Sequence, residues 1–380
     1  MHCTILNRNY PPGPGMTGHC ANELAGYLRQ RGVEVHVVTV EARYAGGAMP
    51  EGEVHGTVHR LPAVYDGKHK LRRLFSSLWE GRRMVRRARA LGKGPFIVMS
   101  DPPLLNFWAA RLLGGSRRPW IYWTMDLYPE AFCSAGLVSE GHPVFRWLRR
   151  QVYGRRPDAL LALGPRQRDH LLGCYGPIAR TAVLPAGVSR PQADPQRPPW
   201  AQGDKIVWGY VGNIGEAHDL EFVQETIRAL DPARHRFILA SYGVHGKRLR
   251  EFARDFPVVE EFDSVPHGQM AYVDVHVITL KPRWDHVCVP SKAVSAVSGG
   301  GAILYHGSAG GDNWDLLQGA GWRIDPDKPR AEAVRETVAR ITPEAVREKR
   351  AQAAKIYGEL VAMRDRAFEE VYGFVRELQQ

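Results

Sequence analysis

Short apolar runs alternate with amphipathic segments along the first half of the chain. Residues 3–7 and 33–39 are apolar or β-branched runs that predict strands. Between them, Thr17 to Arg31 places Leu24 and Leu28 on one helical face and ends at Gly32. Further strands are predicted at residues 96–100, 120–125, 159–163 and 181–184. This order predicts a parallel sheet, because parallel strands need a crossover helix.

The same pattern begins again after an irregular segment. Residues 185–204 hold five prolines and almost no periodicity, which predicts a linker over 186–204. A strand at 205–211, a two-glycine turn and a helix near 218–230 follow, with later strands at 235–240, 258–262, 272–280 and 302–305. Residues 290–298 and most of 329–380 read as helical.

The pattern therefore predicts an α/β fold with two Rossmann-like domains facing an interdomain cleft, and a helical C-terminus. The expected boundaries are 1–185 for the first domain, 205–355 for the second, and 356–380 for a C-terminal helix that could cross back to the first. Ligands of such sheets bind beyond the carboxyl ends of the strands.

Charge and cysteine content indicate the kind of binding partner and argue against some kinds of site. The net charge of +11 is concentrated in residues 1–190, which carry +14, whereas residues 191–380 carry −3. The first half is therefore expected to meet something anionic. Five scattered cysteines without a close pair argue against disulfides or a zinc site and fit a cytoplasmic protein. The first residues are not expected to act as a signal peptide, no run of 18 apolar residues occurs in this sequence, and no nucleic-acid-binding signature appears.

Two segments of the first domain could carry chemistry. The loop from Pro11 to Gly18 follows the first strand, and Gly15 within it lets backbone N–H groups approach an anionic ligand. Asp126 follows a strand and could act as a base or orient a hydroxyl group. A tight loop without a ligand and a helix-capping aspartate are the alternatives.

Two segments of the second domain suit a diphosphate. A turn with Gly212, Asn213 and Gly215 joins a strand to a helix and is followed by His218. The segment from Val289 to Gly301 places Ser291 and Lys292 at a helix start, where N–H groups and one cation could meet phosphate. A plain turn and a solvent-facing lysine are the alternatives.

Residues 68–93 form a basic amphipathic segment. Leu71, Leu74, Phe75, Leu78, Val85 and Ala88 lie near one helical face, and the remaining positions include Arg82, Arg83, Arg86 and Arg87. Such a helix is typical of an interfacial membrane element. A helix packed on the sheet with a solvated basic face is the alternative.

Five segments occur in an informative order: PPGPGMTGHCANELAGYLRQRGVEVHVVT, DLYPEAFCSAGL, YVGNIGEAHDLE, VPHGQMAYVDVHVITL and VPSKAVSAVSGGGAIL. With them the chain resembles, over nearly its whole length, the retaining glycosyltransferases of family four, which have the GT-B fold, and particularly the bacterial surface-polysaccharide branch.

This resemblance implies a nucleoside-diphosphate sugar held mainly by the second domain and an acceptor held mainly by the first. It places Gly15 against donor phosphates or acceptor, and assigns donor-binding roles to Gly212, Asn213, Gly215, His218, Ser291, Lys292 and Ser295. Asp126 falls where relatives have a residue that contacts the transferred sugar. No metal or other cofactor is implied.

The chain departs from the family at a pair of glutamates. Many members have two glutamates eight positions apart, one of which binds the nucleotide ribose, and the corresponding residues here are Val287 and Ser295. Family members often also have an Arg and a Lys that bind the diphosphate after the two-glycine turn. These two residues are replaced in this chain, which has Asn213 and His218 nearby.

The resulting expectation is a cytoplasmic enzyme, peripheral on the inner membrane face, that transfers a hexosyl or N-acetylhexosaminyl unit with retention. Its donor is expected to be a UDP-sugar and its acceptor a glycan or lipid-linked saccharide. A catalytically weakened paralogue acting as a scaffold subunit, and a soluble enzyme that glycosylates a small molecule or protein, are the alternatives.

Overall fold

Two units of parallel α/β structure make up the chain in the computed structural model, which describes residues 1–13, 15–41, 53–65, 70–189 and 196–379. Unit 1 consists of Met1–Ala186, His286–Val289 and Met363–Gln380, and unit 2 of Gly187–Asp285 and Pro290–Ala362. Each unit has its own sheet and its own core, as the periodicity predicts.

Unit 1 contains a seven-stranded parallel sheet in the order β3-β2-β1-β4-β5-β6-β7. Its strands are β1 His2–Leu6, β2 Glu34–Glu41, β3 Thr57–Pro62, β4 Phe96–Val98, β5 Trp120–Trp123, β6 Ala159–Ala162 and β7 Thr181–Val183. Its helices are α1 Met16–Gln30, α2 Lys70–Leu91, α3 Leu105–Leu112, α4 Glu130–Ser134, α5 Pro143–Tyr153 and α6 Pro165–Tyr175.

The edge strand β3 has no counterpart among the predicted strands. It pairs with β2 through Val37 and Val58, but its side chains are half-buried or exposed and include His59 and Arg60. An edge strand buries too little surface to need the apolar alternation on which strand prediction depends.

Unit 2 contains a six-stranded parallel sheet in the order β10-β9-β8-β11-β12-β13. Its strands are β8 Ile206–Asn213, β9 His235–Tyr242, β10 Val259–Glu261, β11 Val275–Thr279, β12 Ala302–His306 and β13 Gly321–Ile324. Its helices are α7 Leu220–Ala229, α8 Gly246–Ala253, α9 Ser291–Ser298, α10 Asp312–Leu317, α11 Arg330–Arg340 and α12 Pro343–Glu377.

Three local features differ from the elements that the sequence pattern predicts. The strand expected at 272–280 begins at Val275, after a 3-10 helix at His267–Tyr272. Pro199–Ala201 in the Pro-rich segment forms a 3-10 helix, and Trp200 packs with Val207, Ile238 and Val273. The terminal helical residues belong to one long helix, α12, whose residues from Met363 onward lie in unit 1.

The end of α12 packs on α1. Phe368, Val371 and Val375 share the unit 1 core with Leu24 and Leu28 of α1. The Tyr27 and Phe368 rings lie 5.1 Å apart, and an Arg31–Glu369 ion pair of 3.0 Å lies nearby. The apolar stripe of the C-terminal residues is thus buried within unit 1.

Candidate functional site

Sheet topology marks one crevice in each unit. In unit 1 the strand order reverses between β1 and β4, and in unit 2 it reverses between β8 and β11. Ligands of open parallel sheets bind at such reversals, outside the carboxyl ends of the strands. Gly15 follows β1 and Asp126 follows β5, whereas Gly212 and Asn213 end β8. These four predicted residues therefore lie at the carboxyl ends of strands in their own sheets.

The loop after β1 is fixed by amide hydrogen bonds. Asn7 Nδ2 donates to the Asn9 carbonyl (2.7 Å) and to Thr17 Oγ1 (3.2 Å), and Asn9 Nδ2 donates to the Asp101 carboxylate (2.5 Å). Gly15 precedes α1 with φ +150°, and no side chain caps that helix. The loop after β1 and the Asp101 carboxylate after β4 therefore meet at the sheet reversal.

Asp126 is held through its backbone neighbours. The Met125 N–H donates to Ser100 Oγ (3.1 Å), and the Leu127 N–H donates to the Val287 carbonyl (2.7 Å). Asp126 is an exposed residue, and desolvation by the protein around its carboxyl group, with a further contribution from Asp101, raises its pKa to about 6. A carboxyl group with this pKa can exchange a proton near neutral pH.

Gln167 organises the segment around Asp126 and is absent from the sequence-based candidates. Its fully buried side chain accepts hydrogen bonds from Thr124 Oγ1 (2.7 Å) and the Leu163 N–H (2.9 Å). Its Nε2 donates to the carbonyls of Met125 (3.1 Å) and His286 (3.2 Å). A glutamine in the first turn of a helix carries no sequence signal for such a role.

The segment His286–Val289 belongs to unit 1 and occupies the position of one expected glutamate. Val287 is 7% exposed and its carbonyl holds Leu127, next to Asp126. His286 adopts φ +63°, and its ring stacks on His170 at 5.7 Å. At this position the chain uses an apolar side chain and a backbone carbonyl in place of a carboxylate.

The turn after β8 brings Gly212 and Asn213 into contact with Lys292, whereas Ser295 contacts Gly187 instead. Gly212 has φ +111°, a conformation that L side chains rarely adopt. A Cβ atom there would lie 3.0 Å from Lys292 Cε and 3.4 Å from Lys292 Nζ. The positive φ therefore favours glycine at this position, and any larger residue would also displace the end of the Lys292 side chain. Asn213 ends the strand with an exposed side chain.

Lys292 reaches this turn from the first turn of α9. Its Nζ donates to the Asn213 carbonyl and to Tyr210 Oη (3.2 Å), and lies 4.3 Å from the centre of the Tyr210 ring. The side chain is half-buried, and desolvation lowers the pKa of Lys292 to about 7. A nearby anion would favour the charged form and reverse this shift.

His218 is a neutral hydrogen-bonding group. The Gly215 N–H donates to His218 Nδ1 (3.0 Å), which assigns the ring proton to Nε2. Desolvation, together with the charge of Lys292, lowers the pKa of His218 to about 3. The ring can therefore donate from Nε2 but adds no positive charge.

Ser291 and Ser295 lie on α9, whose N-terminus has no side-chain cap. Ser291 begins the helix, so its N–H belongs to the end that favours anions. Ser295 Oγ donates to the Gly187 carbonyl (3.4 Å), and a Cβ atom at Gly187 would lie 2.4 Å from Ser295 Oγ. At the second glutamate position the chain thus has a small hydroxyl group packed on a glycine turn.

The four predicted arginines of α2 separate into two pairs. Arg83 donates to the Pro62 carbonyl (3.1 Å), and Arg87 contacts His59 Nδ1 (3.4 Å), so both reach toward β3. Glu80 on the same side forms a buried ion pair with Arg8 (2.9 Å). Arg82 instead lies over the rings of Trp79 (5.4 Å) and Trp108 (5.7 Å), and Arg86 is exposed.

Within 1–13, 15–41, 53–65, 70–189 and 196–379, no helix is both long and apolar enough to span a bilayer. In the same ranges, no three His, Cys, Asp or Glu side chains are grouped so that they could hold a metal ion.

Comparison with known proteins finds similarity to glycosyltransferases. Residues 17–187 match the family described as Glycosyl transferase 4-like domain. The probable glycosyltransferase WbjE of Pseudomonas aeruginosa is 25% identical over 266 residues, which are 63% of this chain and 62% of that protein. The match therefore spans less than two thirds of this relative.

Solved structures share the fold over nearly the whole chain. Sucrose-phosphate synthase from Thermosynechococcus elongatus has a TM-score of 0.73 at 14% identity, with 100% of this chain and 99% of that one covered. WaaG, a glycosyltransferase involved in lipopolysaccharide biosynthesis, has a TM-score of 0.65 at 14% identity, with 99% of each covered. Anabaena HepE in complex with UDP-glucose has a TM-score of 0.66 at 15% identity, with 98% and 100% covered.

At these identities the structural likeness shows the fold alone. The chain therefore has the GT-B fold of two parallel-sheet α/β domains, and its matches to a glycosyl transferase 4-like domain and to a probable glycosyltransferase support glycosyltransferase function.

Proposed function

We propose that this protein transfers a hexosyl or N-acetylhexosaminyl unit from a nucleoside-diphosphate sugar, with UDP-sugars favoured, and retains the anomeric configuration. The acceptor is a glycan or lipid-linked saccharide in cell-surface glycan assembly. The observation that carries the donor assignment is the approach of Lys292, at the uncapped start of α9, to the Gly212 turn at the carboxyl end of β8.

The donor diphosphate is assigned to this turn of unit 2. The Lys292 ammonium group and the first N–H groups of α9 supply positive charge, and His218 Nε2 supplies a neutral donor. Phosphate oxygens would replace the Asn213 carbonyl as partners of Lys292 Nζ. These groups stabilise the charge that develops on the diphosphate leaving group. The proposed reaction uses no metal or other cofactor.

The acceptor is assigned to unit 1, where Asp126 and Gly15 lie at the sheet edge. With a pKa of about 6, the Asp126 carboxyl group is mostly ionised at pH 7 and can orient or deprotonate a hydroxyl group. The positive charge of the first half favours an acceptor with a diphosphate-linked lipid. We place the enzyme on the cytoplasmic face of the membrane as a peripheral protein.

A screen of nucleotides and sugars tests this function. Thermal shift with UDP, GDP, TDP and ADP is expected to show stabilisation by UDP, and Lys292→Met should reduce it. Transfer from UDP-sugars to a polyprenyl-diphosphate-linked saccharide should give a product whose new anomeric centre keeps the donor configuration by NMR. Absence of stabilisation by all four nucleotides would remove the donor assignment.

A second candidate is a weakened paralogue that binds nucleotide without turnover. It is favoured by Val287 and Ser295, which offer no carboxylate for a ribose: the Val287 carbonyl accepts from the Leu127 N–H, and Ser295 Oγ donates to the Gly187 carbonyl. Intact UDP binding with no detectable transfer or donor hydrolysis would select this candidate. A soluble acceptor used as well as the lipid-linked one would instead select an enzyme acting on small molecules or proteins.

A further inference from the structure

Unit 1 exposes large apolar side chains on two of its helices. Phe75 and Trp79 of α2 are 69% and 50% exposed, and Val144 and Trp147 of α5 are 55% and 50% exposed. Single exposed apolar residues are common on soluble proteins, but a connected group of them marks an interaction surface.

On α2 the exposed residues form one stripe. Arg72, Phe75, Trp79, Arg82 and Arg86 are spaced alternately three and four residues apart, which puts them on one face of the helix. The opposite side buries Met84, Val85 and Ala88 in unit 1. The stripe is thus aromatic near its middle and basic at both ends, and we call it the α2 stripe.

Aromatic contacts connect the α2 stripe to α5 through α3. The Arg82 guanidinium group lies over both Trp79 (5.4 Å) and Trp108 (5.7 Å). The Trp108 ring contacts Phe107 (5.0 Å), and Phe107 contacts Trp147 of α5 (5.9 Å). Phe107 and Trp108 are buried or half-buried and fix the spacing between the two exposed tryptophans.

The charge of these three helices has one sign. The sequences of α2, α3 and α5 contain one carboxylate, Glu80, which is buried against Arg8. Arg146 and Arg150 flank Trp147 and are exposed, as are Arg72 and Arg86 on the α2 stripe. On these three helices the exposed aromatic rings lie among arginines without an exposed carboxylate, which is complementary to the phosphate groups and acyl boundary of an anionic bilayer.

We propose that α2, α3 and α5 form one membrane-docking face for anionic phospholipid. Phe75, Trp79 and Trp147 enter the headgroup region, and Arg82, Arg86 and Arg150 bind lipid phosphates. This inference rests on the membrane association in the proposed function and deepens it. It also assigns Arg83 and Arg87 to packing against β3, so half of the basic positions expected at the membrane from sequence do not take part.

Flotation of the full-length protein with vesicles tests the face. Wild type should float with vesicles that contain phosphatidylglycerol and remain below with vesicles of phosphatidylcholine alone. The double variant Trp79→Ser/Trp147→Ser should lose flotation although its two residues lie on different helices. Arg82→Glu/Arg86→Glu should weaken binding by about fivefold for each arginine neutralised, and further because the sign is reversed.

Matched controls lie on unit 2. Arg335 and Arg347 are exposed, and Val244 is 56% exposed, so Arg335→Glu/Arg347→Glu and Val244→Ser test the same chemistry away from the face. Both controls should float like wild type. Stabilisation by UDP should persist in Trp79→Ser/Trp147→Ser, which shows that the variant is folded.

The outcomes separate the two proposals. Equal flotation of wild type and the double tryptophan variant, or loss in the unit 2 controls as well, would overturn this docking face. Failure of wild type to bind any vesicle, with UDP binding intact, would also overturn it but leave the glycosyltransferase proposal standing. A concentration-dependent increase in molecular mass that Trp147→Ser abolishes would show a protein interface instead. Absence of UDP binding together with normal flotation would reject the donor assignment and keep the docking face.

Discussion

The lowered pKa of Lys292 gives the proposed donor site a specific dependence on pH. In the free protein this group has a pKa of about 7, against an ordinary value of 10.5, because desolvation disfavours its charge. A bound diphosphate would favour the charged form and raise the pKa again. Above pH 7 UDP must therefore bind together with a proton, and its affinity should fall as pH rises.

The size of the effect follows from the two pKa values. If UDP restores the ordinary value of 10.5, linkage predicts that affinity falls about eightfold between pH 7.5 and 8.5, or about 1.2 kcal/mol. This interval lies above the titration of a terminal phosphate near pH 6, which would otherwise add its own change. The stability of the free protein has the opposite dependence on pH. Its unfolded state binds more protons than the folded state between pH 7 and 10.5, so Lys292 makes stability rise with pH in that interval.

Calorimetric titration with UDP at both pH values, at fixed ionic strength, measures the affinity change. Lys292→Met should bind UDP more weakly than wild type at pH 7.5. The affinity of this variant should change little between pH 7.5 and 8.5, since it has no proton to take up. Heats measured in buffers of different ionisation enthalpy should show proton uptake in wild type alone. An affinity equal at the two pH values in wild type, or a Met variant as tight as wild type, would refute the placement of Lys292 at the diphosphate.

Three further substitutions test the rest of the site. Asp126→Asn should lower kcat by about 10²- to 10⁴-fold and remove an acid limb near pH 6 from the rate profile; an unchanged profile would exclude Asp126 from proton transfer. Gly212→Ala should destabilise the protein by about 1–3 kcal/mol, measured by urea unfolding, and weaken UDP binding, because the alanine strains a positive φ and its Cβ contacts Lys292. In the control Gly358→Ala the new Cβ meets nothing within 4 Å, so neither stability nor UDP binding should fall. Gln167→Leu should destabilise by about 3 kcal/mol or more, since it removes four buried hydrogen bonds. A stability equal to wild type would contradict the role given to Gln167.

Local chemistry was sufficient to predict the elements that carry the site. The apolar runs around Ile5, Val37, Trp208 and Ile303 predict strands because a sheet covered on both faces requires continuous apolar segments. Glycines at turns after such strands indicate where backbone must approach a ligand or a neighbouring side chain. Gly212 shows the second case, since its missing Cβ leaves room for Lys292. Strand β3 was not predicted, because an edge strand needs no continuous apolar segment.

Tertiary structure decided what each polar side chain contacts. Arg82 and Arg83 are adjacent in sequence and equal in charge, yet one lies over two tryptophans and the other donates to Pro62. The lowered pKa of Lys292 likewise requires the burial supplied by the folded protein. Gln167 depends on four partners drawn from three separate parts of the chain. Sequence periodicity determines which side of an element is buried, because burial repeats with the geometry of the helix or strand. Hydrogen bonds and pKa values depend on distances of a few ångströms between remote residues, and only the folded chain sets those distances.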